Sequence, residues 1–186
     1  MALRQKLWTH RRKADWLYVA FMGVHLLASV LVDGQLFYPQ SCIPEVLVKT
    51  KQDYLRQSND PMVGKLGQPE VAWFWMAVVL EMTWQCPAFV LGIVGLVRDD
   101  WRVWPLLVGY SSLAFSSTLF VIWQVIAGPD APSLSSEQLR FLLQNYVPFA
   151  LMPLMMLIDL TIRCTVALAY AQCKLATTIR SDKKTS

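Results

Sequence analysis

Residues 71–97 read VAWFWMAVVLEMTWQCPAFVLGIVGLV, an apolar run broken by one charged residue, Glu81. A helix on the surface of a soluble protein repeats its apolar residues every three or four positions, whereas this run is apolar on every side. It also exceeds the roughly 20 residues that a bilayer-spanning helix needs. The stretch is therefore expected to cross a membrane with an acid near its middle, and the rest of the chain follows from it.

Three more blocks of the same kind flank it: about Trp16 to Phe37, about Trp101 to Ala127, and about Tyr146 to the late 160s. With 186 residues, 55% of them hydrophobic and 16% charged, and a mean hydropathy of +0.37, the chain has room for four spans and little else. The expected fold is all-α: a polytopic membrane protein, a four-transmembrane-helix bundle with an ordered lumenal loop. A basic N-terminus covers 1–15, the membrane domain 16–172 and a basic tail 173–186. The first block is too long and too well followed by further spans to be a cleavable signal peptide.

The formal charge of +4 does not point to nucleic acid, because the positive residues form no patch. Arg4, Lys6, Arg11, Arg12 and Lys13 precede the first span, Arg98 and Arg102 fill the turn between the second and third, and Lys174, Arg180, Lys183 and Lys184 follow the fourth. Basic residues in short flanks stay cytoplasmic, so both termini are expected there and the other two loops in the lumen. Lys183 and Lys184, fourth and third from the end, match a dilysine retrieval address for the endoplasmic reticulum membrane.

The first lumenal loop, Tyr38 to Glu70, carries Pro39, Pro44, Pro61 and Pro69, with Leu47, Tyr54 and Leu55 marking a short amphipathic helix: an ordered cap. The second, Gly128 to Ser136, is rich in Pro and Ser, and Ser136 is placed to cap a helix that leads into the fourth span. Cys86 and Cys164 fall in spans, Cys173 at the cytoplasmic end and Cys42 in the lumen, so no disulfide framework is expected. Zinc-type ligand spacing, a phosphate loop and a nucleophile elbow are missing from the sequence, and neither a metal nor a cofactor is expected.

Ionisable residues inside a bilayer cost about 2.5–3.5 kcal/mol each on insertion scales, which makes them candidates for a functional site. His25, Ser29 and Asp33 follow at intervals of four on the first span and form one polar stripe; Glu81 and Gln85 form another on the second. If the stripes face one another, two carboxyls share a chamber poor in water, and the pair is expected to hold one proton between them. An acid beside a carboxylate can protonate an alkene or epoxide, and it equally suits binding of a cationic amine. Trp84, three residues past Glu81, is expected to line the chamber, where an aromatic face stabilises a cation. Pro87, Pro148 and Pro153 loosen their helices and leave space between them. Asp159 and Arg163, four apart on the fourth span, read as a structural pair with Arg163 reaching to the headgroups.

Taken together, His25 and Asp33 eight apart, Gln35, Tyr54, Asp60-Pro61, Ala72-Trp73-Phe74, Glu81, Gln85, Pro87, Tyr110-Ser111, Pro148 and Pro153 resemble the EXPERA family. That family groups the sigma-2 receptor with the emopamil-binding protein, a sterol double-bond isomerase, and the likeness is closest to the sigma-2 type. It implies a four-helix fold in the endoplasmic reticulum, often a homodimer, with a sterol-sized cavity whose ligand bonds centre on residues such as Asp33 and Glu81. It further implies that Asp60 stabilises the cap, and that His25, Ser29, Gln85, Trp84, Tyr110, Tyr146 and Phe149 are substrate-binding positions. Ser29 stands where the isomerase has a histidine, Tyr146 and Phe149 where it has an asparagine and a tryptophan, and Phe149 also replaces a pocket tyrosine of the sigma-2 type. The cavity is thus expected to be retuned toward another hydrophobic ligand.

Two functions stay open on this reading. One is an isomerase or terpene cyclase that needs no cofactor, with Asp33 and Glu81 as catalytic acid and base on an isoprenoid, terpenoid or sterol. The other is a non-catalytic sterol- or lipid-binding receptor that uses the same cavity within the lipid bilayer.

Overall fold

In a computed structural model of the chain, the structure describes residues 2–185, with side chains over 13–177. The side chains of Arg4, Lys6, Arg11, Arg12, Arg180, Lys183 and Lys184, and with them the retrieval address, lie outside the described residues. Four helical segments are long and apolar enough to cross a membrane: Lys13–Leu36, Pro69–Val97, Trp101–Ala127 and Ser136–Thr177. The first and third run one way and the second and fourth the other, so the two termini share one end of the bundle, here the terminal end, and the two longer loops share the cap end. No strand is present among the described residues.

The helices are α1 (Ala2–Leu31), α2 (Glu45–Ser58), α3 (Pro61–Gly64), α4 (Ala72–Leu80), α5 (Cys86–Val97), α6 (Trp104–Ala127) and α7 (Ser136–Thr185). α1 packs on α5, and α6 lies along α7. Large apolar side chains such as Leu27, Phe120, Trp123 and Leu168 stand more than half exposed on the outer surface, an arrangement that water penalises and a bilayer rewards.

Two apolar cores fill the bundle. At the terminal end Tyr18, Met22, Phe89, Leu107, Tyr110, Met156 and Leu160 pack together, and at the cap end Met62, Val71, Val125 and Leu142 do so. The functional chamber described below adjoins both.

α5 reaches α6 through glycine. A Cβ added at Gly92 would press on Leu107 Cδ2 at 2.5 Å, and one at Gly95 would collide with the Val103 side chain, so the two glycines let the next segment come close. The turn that follows is closed by Asp99 in the left-handed region at φ 57°, with Asp100 N–H donating to Gly95 O at 2.8 Å and Asp99 N–H to Leu96 O at 3.2 Å. Asp100 then caps the next turn by accepting from Arg102 N–H at 3.0 Å. The Arg102 guanidinium beside it holds the Asp100 carboxyl below the usual carboxylate range. Gly95→Ala is expected to force α5 and α6 apart at a cost of about 1–3 kcal/mol, read as a lower midpoint of thermal unfolding in detergent, while Gly109→Ala, where a Cβ meets open space, should have little effect.

The first lumenal loop of the sequence reading is indeed ordered, with α2 and α3 forming a cap. At the start of α7, the capping residue is Ser135 rather than Ser136. Ser135 Oγ accepts from Gln138 N–H at 3.2 Å while Gln138 Oε1 accepts from Ser135 N–H at 2.9 Å, a reciprocal box that the Ser-x-x-Gln spacing supplies. α7 runs as one helix through Pro148 and Pro153. Arg163 differs from expectation too: it turns inward, 2% exposed, between Asp159 of its own helix and Asp15 of α1.

Candidate functional site

The second span is not a continuous α-helix. Between α4 and α5, residues Glu81–Gln85 form a single π turn, in which Cys86 N–H bonds back five residues to Glu81 O. Pro87 explains its place: with no N–H and a ring that crowds the carbonyl four residues earlier, it favours a widened turn just ahead of it. The extra residue per turn keeps Gln85 near the face of Glu81 and swings Trp84 off it.

On α1 the polar stripe forms as its spacing requires, but the helix ends at Leu31 and tightens into a 3-10 turn over Asp33–Leu36, so Asp33 stands at the head of that turn. The two stripes face each other. Glu81 Oε1 lies 2.5 Å from Ser29 Oγ and 3.3 Å from His25 Nε2. Ser29 is fully buried and also sits 2.9 Å from its own helix's His25 O. The His25 ring is boxed by Phe21, Phe89 and Phe149 at centroid distances of 5.5, 4.9 and 4.9 Å, which fixes its plane toward Glu81. Asp33 is near enough to Glu81 for the two carboxyls to repel, yet no side chain among the described residues donates a hydrogen bond to it.

These groups open onto a cavity of about 390 Å³, within the range of small-molecule sites. His25, Asp33, Glu81, Gln85, Tyr146 and Phe149 all line it. Ser29 lies behind Glu81 rather than on the wall. Two expected wall residues stand elsewhere. Trp84 is 44% exposed on the outer surface, carried there by the π turn. Tyr110 is fully buried in the core at the terminal end, edge-on to Phe89 at 4.9 Å, where its hydroxyl has no partner.

Tyr146 has a second task. Its hydroxyl donates to Asp60 Oδ2 at 2.5 Å, alongside that of Tyr54 at 2.6 Å. Asp60 Oδ1 accepts from the N–H groups of Met62 and Val63 at the start of α3. One buried carboxylate thereby ties α2, α3 and α7 together. Burial, and after it the Asp60 charge, pushes the Tyr54 phenol far above its usual range, so it remains a donor. Lys65 to Asp130, at 2.6 Å, joins the two loops at the rim.

The sequence reading missed one wall altogether. Leu47, Thr50, Lys51 and Tyr54 of α2 line the chamber, and Lys51 is near enough to attract Asp33. Their spacing of three, four and seven is the signature of one helix face, so the signal was present, with a lysine in the middle of an otherwise inward stripe. Ser117 and Thr118 of α6 and Asn145 of α7 complete the far side, where nothing in the sequence distinguishes them from other small polar residues in spans.

A bundle of four helices long and apolar enough to cross a membrane, with two carboxyls in a capped internal chamber, defines a class: a multi-pass membrane protein built around an internal cavity. The EXPERA (EXPanded EBP superfamily) family matches residues 46–160, well over half of the chain, and the protein belongs to that family. It is thus a sterol-related membrane protein.

Proposed function

We propose that the protein is a membrane-embedded acid/base catalyst for a hydrophobic isoprenoid, terpenoid or sterol, acting without a cofactor. The observation that carries this reading is the asymmetry of the two carboxyls. Glu81 is gathered by Ser29 and His25, while no side chain among the described residues donates to Asp33, an asymmetry that suits Glu81 to the role of base and Asp33 to that of acid. Asp33 then gives its proton to an alkene carbon or an epoxide oxygen, the charge develops on the neighbouring carbon beside Phe149 and Phe74, and Glu81 removes a proton from the adjacent carbon. The substrate gains one proton and loses one, so the net change is a shifted double bond or a closed ring, and the proton returns from Glu81 to Asp33 between turnovers.

A second reading, non-catalytic binding of a sterol or related amphiphile as in a sigma-2-type receptor, is favoured by a different observation: each carboxyl has a basic neighbour, His25 for Glu81 and Lys51 for Asp33. The basic flanks support placement in the endoplasmic reticulum membrane with both termini cytoplasmic. Homodimerisation, which the family likeness suggests, belongs to the same proposal.

Membranes containing the full chain, incubated with polyprenyl epoxides and sterol dienes, are expected to yield an isomer of one of them. Asp33→Asn and Glu81→Gln should each lower the rate by about 10²–10⁴, the usual contribution of a positioned acid or base. Saturable sterol binding with no product from any substrate would instead establish the receptor.

A further inference from the structure

Most hydrogen-bond donors on the chamber wall are already committed. The hydroxyls of Thr50, Ser117 and Thr118 turn back to their own helices, at Val46 O and Ala114 O. Those of Tyr54 and Tyr146 go to Asp60, while His25 Nε2 lies 3.3 Å from Glu81 Oε1 and the Gln85 amide makes no hydrogen bond among the described residues. Gln35 and Asn145 each spend one amide N–H on a carbonyl one turn earlier. Lys51 is different. It lines the chamber from the cap, half-buried, and makes no hydrogen bond or direct ion pair among the described residues, although Asp33 lies within its electrostatic reach.

The ammonium and the carboxyl line one cavity without forming an ion pair, so both are presented to a ligand seated there. We infer that Lys51 and Asp33 form a clamp for an oxygen of the ligand, so that the chamber selects a hydrophobic molecule bearing an acceptor oxygen, such as an epoxide or a ketone, over a hydrocarbon or a cationic amine. The inference rests on the chamber of the proposed function and names its ligand class. Lys51 donates to the oxygen, and Asp33 in its acid form donates to the same atom. A charge-assisted bond of this kind in a site shielded from water is among the stronger polar contacts available. A cationic amine would gain the Glu81 carboxylate but would meet the ammonium at the cap, and like charges brought together disfavour the wrong partner.

Three rigid probes of one skeleton test this without turnover: cholestane, cholestan-3-one and 3-aminocholestane, each titrated against the full chain in lipid nanodiscs with binding read by displacement of a fluorescent sterol. The wild type is expected to bind the ketone about tenfold more tightly than the hydrocarbon, the worth of one good hydrogen bond to a charged group. Lys51→Met should bring that ratio to near one and tighten binding of the amine, while Lys51→Arg should keep most of the preference. The melting temperature of each variant reports whether the cap remains folded. An unchanged ketone-to-hydrocarbon ratio in Lys51→Met, a wild type that prefers the amine, or no binding of any probe overturns the clamp. Because no product is measured, a ketone preference that depends on Lys51 in a protein that converts nothing removes the catalytic reading and leaves the clamp in place.

Discussion

Asp60→Ala is expected to unfold the cap at temperatures where the wild type keeps it. The carboxylate is 2% exposed and accepts four hydrogen bonds, two from the start of α3 and two from the tyrosines that anchor α2 and α7. Losing an N-cap costs about 0.5–2 kcal/mol, and a buried hydroxyl left without a partner costs about 1–3 kcal/mol. With one cap and two hydroxyls, the sum is about 4 kcal/mol. In a chain of this size that lowers the unfolding midpoint by roughly 10 °C, measured by thermal denaturation in detergent. Because Leu47, Thr50, Lys51, Tyr54 and Tyr146 all line the chamber, ligand binding should fall with it. Asp60→Asn keeps an oxygen for the α3 N–H groups and should cost clearly less. Equal losses for the two variants would mean that the charge, and not the capping geometry, holds the cap.

Arg163→Leu is expected to be nearly as damaging at the opposite end of the bundle. The guanidinium donates to Asp159 through Nε and Nη2, at 3.1 and 2.6 Å, and to Asp15 of α1 through Nη1 at 2.5 Å. Its carbon lies 5.7 Å from the Trp104 ring centroid, and Tyr18 donates to Asp159 at 3.0 Å. Removing Arg163, the one cation of this cluster among the described residues, leaves two carboxylates facing each other across α1 and α7. Breaking a buried pair in this way costs about 3–5 kcal/mol, and the lower part of that range applies because Asp159 is 34% exposed. The triple variant Asp15→Leu, Asp159→Leu, Arg163→Leu should recover most of the loss, since an apolar cluster of similar volume needs no compensating charge. Failure of the triple variant to recover would show that Arg163 holds α1 and α7 in register by its shape and its ring contact rather than by charge.

These two polar anchors stand on either side of the chamber and show how far a sequence reading reaches. The spans, their order and the two polar stripes are legible because hydrophobic length and a four-residue interval are local properties, whereas the meeting of the stripes is not. Ser135 was missed by one position because Ser135 and Ser136 are both good capping residues, and only the reciprocal bond with Gln138 separates them. Trp84 leaves the chamber because the turn after Glu81 is a π turn and not an ordinary helical one. The π turn changes which face each following residue takes, and its cause, Pro87, was visible without its effect on register being so.

Arg163 and Tyr110 illustrate the other limit. An arginine near the end of a span reads as one that reaches for the headgroups, and nothing local reveals that Asp15, far away in the chain, waits beside it. Tyr110 lies on a face of α6 that the bundle turns into its core, a choice of face that only the packing of the helices makes. Lys51 combines both cases: its place on the inward stripe of α2 is a local property, but its approach to Asp33 depends on the cap folding back over α1.

Four membrane-length apolar segments, an ordered loop and acids set within the apolar region are written in the order of the residues, because each follows from the energy of transferring neighbours in the chain between water and lipid. Which of those acids share a chamber, which are already bonded and which cation faces them emerge only when the helices pack. Such pairings join residues far apart in the chain, and they depend on how helices rotate and pack against one another, a choice that many apolar faces of similar energy leave open until the whole bundle is assembled.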